Sequence, residues 1–352
     1  MIRVFLVDGS PPIVSLLKKI LERFPDITVV GTAENGRQAL ELIPQLKPDV
    51  ICSEAYLPGM EGLALIQQLM DICPTPILIV SSPARDRHQE LITRFFEAGV
   101  IDVLAKPTLA TGFEEPQFAR ELARKIKVLA GVSVFRRKAQ TPPSPVLPLA
   151  VAEPYLKILV IGASTGGPQA FEAVLSKLPA NYPFPVICVQ HISKGFLDSF
   201  ILWLTDKVKL PVTVAKAGEK PELGRIYFAP DDANLELDAQ GRFHLSLTPD
   251  SLYYPSVDVT LHSLARYYRS KAIAVLLTGM GDDGASGLKA IADAGGLTIA
   301  QDEASSVVFG MPKAAIETGA AQKILNIGQI GDMLCHQLNP RSEKYLKTEP
   351  WA

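Results

Sequence analysis

Cysteine is scarce in this 352-residue chain, and Cys52, Cys73, Cys188 and Cys335 lie far apart with no C-x-x-C pair. That spacing offers neither a disulfide framework nor a thiolate zinc site. Reduced thiols in a cytoplasmic protein are the expectation. Cys52 and Cys188 sit in apolar runs, where a free thiol acts as a small hydrophobe. Histidines are few as well, and His88, His244, His262 and His336 do not cluster with cysteines or carboxylates at metal-ligand spacing. A basic excess is missing too: 35 Lys and Arg face 37 Asp and Glu, for a net charge of −2. Nucleic-acid binding needs cations to neutralise phosphates, so no nucleic-acid partner is expected. No apolar run reaches the roughly 20 residues of a membrane span. The longest candidate, near 146–161, is broken by Pro148, Glu153, Pro154 and Lys157. The opening "MIRVFLVDGS" is interrupted by Asp8 too early for a signal peptide.

What is present suits two domains. Residues 1–130 alternate short apolar strands with amphipathic helices: "RVFLVD" (3–8), "ITVVGTA" (27–33), "VICSE" (50–54), "PILIVSS" (76–82) and "VIDVLAKP" (100–107). Ile13, Leu16, Leu17, Ile20, Leu21 and Phe24 recur at helical spacing between the first two. Such alternation predicts a parallel sheet covered on both faces, here a flavodoxin-like fold of five βα units. Residues 131–155, with prolines at 142, 143, 145, 148 and 154, read as a semi-rigid linker. Residues 156–340 predict a second, doubly wound α/β domain. Its strands are 156–164, 184–191, 272–280 and 297–302. An antiparallel excursion is inserted, made of "RIYFAP" (225–230) with the hairpin pair "ANLELDA" and "RFHLSLT", and with "QG" at 240–241 as the turn. Residues 341–352 form a charged tail.

In open α/β sheets, chemistry gathers beyond the carboxyl ends of strands. Ser164 ends the first strand of the second domain, His191 ends "VICVQ", and Asp282 and Asp283 follow "AVLLTGMG". A serine, a histidine and a carboxylate on one sheet edge are the types that acyl transfer needs. Gly162-Ala163-Ser164-Thr165-Gly166 fits G-x-S-x-G, a turn that exposes a hydroxyl between strand and helix. Backbone N–H groups at Thr165 and Met280 are candidates to hold an oxyanion. Taken singly, each residue has a plainer role: a turn serine, a structural histidine, a capping aspartate. The competing dinucleotide reading wants an acid at the end of the second strand, which ends "VQH" instead. No G-K-[ST] follows the glycines, so a P-loop is excluded.

"IGASTGG", "VQH", "YPSVDV", "LTGMGDDGA" and "QDEASSVVFGMPKAAI" together resemble the bacterial chemotaxis protein-glutamate methylesterase family. In that family a response-regulator receiver domain precedes the catalytic domain. The resemblance covers nearly the whole chain and implies Ser164, His191 and Asp283 as a triad, with Asp282 a bystander. It implies hydrolysis of glutamate methyl esters on the cytoplasmic helices of chemoreceptors, with methanol released, and deamidation of certain glutamines. No cofactor is implied for catalysis. Implied partners are methylated receptor helices and a histidine kinase or another signalling protein, with membranes approached only through receptors. One departure is Asn234, where the family's "APxxxHL" pattern carries histidine and this chain reads "APDDANL".

The receiver half departs further. A typical receiver has two adjacent acids after its first strand; here Asp8 is followed by Gly9. The phosphoacceptor aspartate position holds Glu54, in "SEAYLPGMEG", while Ser81 and Lys106 match the family's hydroxyl and lysine. Mg²⁺ wants near-octahedral oxygen ligands, so a site at Asp8 and Glu54 should be weak. Glu54 is expected either to reach Lys106 and imitate a phosphorylated state or to be an inert acid at a strand end. Two alternatives stand beside the methylesterase: a docking module without catalysis, and a serine hydrolase for another ester or amide.

Overall fold

The computed structural model describes residues 1–82, 88–106, 116–132, 158–247 and 254–336. The expected linker, from 133 onward, and the expected tail lie outside the described residues. The chain divides into two compact units. One is the N-terminal half together with the short segment Ile192–Trp203; the other is the rest.

The first unit holds β1 (Ile2–Val7), α1 (Pro11–Leu21), β2 (Ile27–Ala33), α2 (Gly36–Leu46), β3 (Val50–Ser53), α3 (Gly62–Ile72), β4 (Ile77–Ser81), α4 (His88–Glu97), β5 (Asp102–Ala105) and α5 (Pro116–Leu129). Its sheet is parallel throughout, in the order β2-β1-β3-β4-β5. All four residues of β3 and all five of β4 are buried, as strands covered on both faces must be. Pro11 opens α1, where its missing N–H costs nothing, and Leu17, Ile20 and Leu21 turn inward. Order β2-β1-β3 makes β1 and β3 neighbours, so Asp8 and Glu54 follow adjacent strands. Ser81 ends β4 and Lys106 follows β5 on the same edge.

The second unit holds β6 (Ile158–Ala163), α6 (Gly167–Leu175), β7 (Val186–Gln190), the end of α7 (Leu197–Thr205), β8 (Val212–Val214), β9 (Ile226–Phe228), β10 (Asn234–Leu237), β11 (Phe243–Ser246), α8 (Val257–Tyr268), β12 (Ala272–Leu276), α9 (Ala285–Asp293), β13 (Leu297–Gln301), α10 (Met311–Glu317), β14 (Lys323–Leu325) and α11 (Ile327–His336). Seven parallel strands run in the order β8-β9-β7-β6-β12-β13-β14. The three central strands are buried at every position. Chain order reverses at β6, which has β7 on one side and β12 on the other. A crevice at such a reversal is where ligands bind in sheets of this kind.

The hairpin β10–β11 forms its own two-stranded sheet, but residues 225–230, expected in the antiparallel excursion, instead supply β9, which pairs in parallel with β7 and β8. Its turn differs from the expected Gln240-Gly241 pair, because the last paired residues are Leu237 and Phe243. The Asp238 side chain accepts the N–H groups of Gln240 (2.9 Å) and Arg242 (2.8 Å), which organises the longer loop.

Candidate active site

β6 delivers Ser164 directly into a tight turn. Its carbonyl accepts the Gly167 N–H at 2.8 Å, and Gly166 takes the left-handed φ of +77° that the turn requires. The Ser164 N–H donates to the Thr278 carbonyl at 3.0 Å, across to the loop after β12. Ala163 pairs with Gln190 in register, so Ser164 and His191 are the next residues on neighbouring strands. The His191 N–H donates to the Ala163 carbonyl at 3.0 Å.

His191 meets Asp283 across the reversal point, with Nε2 2.8 Å from Oδ2. Both side chains are about nine-tenths buried. Asp283 sits in a cradle at the start of α8. Oδ1 accepts the Ser256 hydroxyl (2.9 Å) and the Asp258 N–H (3.0 Å), and Oδ2 also accepts the Val257 N–H (2.7 Å). Burial alone would push this carboxyl up. The His191 hydrogen bond and charge, with the Asp258 and Val257 amides, outweigh it and hold Asp283 below the usual carboxylate range. Asp258 goes the other way, raised chiefly by burial and also by the nearby Asp283 charge.

Several residues that the sequence did not assign hold this edge together. Ser256 caps α8 by accepting the Val259 N–H at 3.3 Å while it donates to Asp283. Its own N–H is held by the fully buried Asn234 at 2.8 Å, so the family departure at 234 lies one contact behind the carboxylate. Thr278 joins three loops: its hydroxyl donates to the Thr165 carbonyl (3.0 Å), accepts the Val308 N–H (2.8 Å), and its N–H reaches the Gln301 side chain (2.7 Å). Gln190 Nε2 donates to the Ser164 and His191 carbonyls, each at 2.8 Å. A cap signature in "PSVDV" was readable; its partner Asp283, 27 residues on, was not. Of the other expected residues, Thr165 is buried, Met280 is half-buried and Asp282 is exposed. Segment 307–312 packs here, since Gly279 donates to the Val308 carbonyl (3.0 Å) and accepts from Met311 (2.9 Å).

The first unit gathers its own expected residues. Lys106 Nζ lies 2.5 Å from Asp8 Oδ2 and also bonds Glu54 Oε2. The Ser81 hydroxyl donates to Glu54 Oε1, which also accepts the Ala55 N–H at 2.7 Å. Asp8, Glu54 and Ser81 are buried. One ammonium already serves both carboxylates. Among the described residues no group of three or more His, Cys, Asp or Glu is placed to hold a metal ion.

Comparisons with known proteins agree with the two units. Residues 159–334 match the family model described as CheB methylesterase, and residues 4–113 match the response regulator receiver domain. A protein-glutamate methylesterase/protein-glutamine glutaminase of Syntrophus aciditrophicus is 39% identical over 95% of this chain and 97% of its own length. One from Pseudomonas aeruginosa is 40% identical over 96% and 97%. The crystal structure of the Thermotoga maritima CheB methylesterase catalytic domain superposes with a TM-score of 0.50 at 41% identity, covering 52% of this chain and 98% of that one. The class is therefore a carboxylic ester hydrolase joined to a response-regulator receiver. Within it, the chain belongs to the CheB methylesterase family. No helix among the described residues is long and apolar enough to cross a membrane.

Proposed function

We propose that this chain hydrolyses glutamate methyl esters on chemoreceptor helices through Ser164, His191 and Asp283, and deamidates glutamines by the same route. The observation that carries the reading is the His191–Asp283 hydrogen bond, 2.8 Å long, at strand ends flanking the Ser164 turn. With Nε2 on the carboxylate, Nδ1 is the ring nitrogen that would act as base. The Ser164 hydroxyl attacks the ester carbonyl and its proton passes to His191. The tetrahedral oxyanion is held by the Thr165 and Met280 N–H groups. The C–O bond to methoxide breaks, and His191 returns the proton to release methanol. Water then attacks the acyl-enzyme and gives a proton to His191; the bond from the acyl carbon to Ser164 Oγ breaks, and His191 passes that proton to Oγ, restoring Ser164 and leaving a free glutamate. An ionised Asp283 orients the imidazole and stabilises the imidazolium. The relatives' activity, protein-glutamate methylesterase/protein-glutamine glutaminase, supports this assignment. The test is methanol release from a methylated receptor fragment by the wild-type chain and by Ser164→Ala. The expected loss in the variant is on the order of 10³-fold or more; an unchanged rate would remove Ser164 from the mechanism.

The same reading makes the receiver an altered switch in a cytoplasmic signalling protein, one that either holds the enzyme in a constant state or takes its input from a protein partner. The Ser81 hydroxyl, the Lys106 ammonium and the Ala55 N–H all converge on the Glu54 carboxylate, which supports imitation of a phosphorylated acceptor over an inert acid. Incubation with acetyl phosphate and Mg²⁺ should leave residue 54 unlabelled and the esterase rate unchanged. Stoichiometric base-labile label at Glu54 would contradict this.

A further inference from the structure

Gln190 is the last residue of β7, and only 3% of it is exposed. Its Nε2 donates to the carbonyls of Ser164 and His191, both at 2.8 Å. One side chain thus ties together the main chains of the proposed nucleophile and the proposed base. Only the NH₂ end of an amide can donate to two carbonyls, so its orientation is fixed. The other end, Oε1, is buried with no hydrogen-bond partner among the described residues. A buried acceptor without a partner costs stability, and an apolar side chain of the same shape would avoid that cost. Packing alone therefore does not account for glutamine here. Gly167 completes the arrangement: a Cβ on it would stand 1.9 Å from Oε1, so the amide lies under the nucleophile turn only because residue 167 has no side chain.

We propose that Gln190 is a positioning residue for the hydrolysis, a clamp that sets the spacing of Ser164 and His191 without touching substrate. This rests on the esterase reading above. Attack of a hydroxyl on an ester is steeply sensitive to placement, and an error of about 1 Å costs roughly 10²-fold in rate. Losing the clamp should therefore lower kcat and leave substrate binding alone.

The test uses the full-length chain, Gln190→Met, which keeps the shape without the donor, and Gln190→Glu, whose ionised form offers the two carbonyls only acceptors. Methanol release is measured for kcat and KM, thermal unfolding for Tm, and a fluorophosphonate for the rate at which Ser164 is labelled. The expected result is a fall of about tenfold or more in kcat at unchanged KM, with a parallel fall in the labelling rate. Gln190→Glu should be at least as impaired as Gln190→Met. If a variant folds only in part, complete labelling counts its competent sites, and turnover per site should still be slow. Wild-type turnover per site in Gln190→Met overturns the proposal, as does a rise in KM with kcat retained. A wild-type chain that labels at Ser164 but releases no methanol contradicts the methylesterase reading, and the labelling rates then decide the clamp alone. A wild-type Ser164 inert to the probe overturns both.

Discussion

Asp283 carries the electrostatic argument at the scale of single residues. Four donors converge on its carboxylate: the Ser256 hydroxyl, the Val257 and Asp258 amides, and His191. Because its folded pKa is lowered, its stabilising contribution is fully present above the unfolded value, about 3.9, and is lost as pH falls through the folded one. Asp283→Asn removes that contribution. Urea unfolding across a pH series should show the variant less stable than the wild type near neutrality, with the gap closing in acid; a gap constant in pH would contradict the account. The placement of Ser164 and His191 on one sheet edge was legible because each follows a largely apolar strand, and the sheet rule says where such ends meet. Cys52 was legible in the same way: its apolar strand marks a small buried hydrophobe, and burial pushes its thiol up to about 12. Gln190 and Ser256 were not assigned, because their partners are backbone groups or side chains brought near only by the fold.

The elements show a similar division. Long apolar strands and their helices follow from composition and period. The three-residue strands β8 and β14 were missed, being too short to display a period. The β10–β11 loop departs from a Gln240-Gly241 turn because the Asp238 carbonyl accepts the Gly241 N–H at 3.0 Å while its side chain accepts Gln240 and Arg242. The loop after β12 depends on close approach at Gly279. A Cβ there would lie 2.3 Å from Met311 Sδ and 2.8 Å from Ser164 Cβ. Gly279→Ala should force apart α10 and the Ser164 turn. Overpacking of this kind costs about 1–3 kcal/mol, and methanol release should fall further than the loss of folded protein explains. Wild-type stability and rate in Gly279→Ala would show that the loop yields without consequence.

At the scale of the whole molecule, two parallel sheets each collect polar side chains at the carboxyl ends of their strands. The second unit places a histidine–aspartate pair beside a serine turn. The first binds Glu54 with the hydroxyl, lysine and backbone amide of its own edge. The central claim is that Ser164 is the nucleophile of a methylesterase. Its most direct test is to titrate the full-length chain with a fluorophosphonate while following both the labelled site and methanol release from a methylated receptor fragment. The account predicts a single label on the peptide containing Ser164, with methanol release falling in proportion and vanishing at one equivalent. Full labelling of Ser164 with methanol release intact would contradict it.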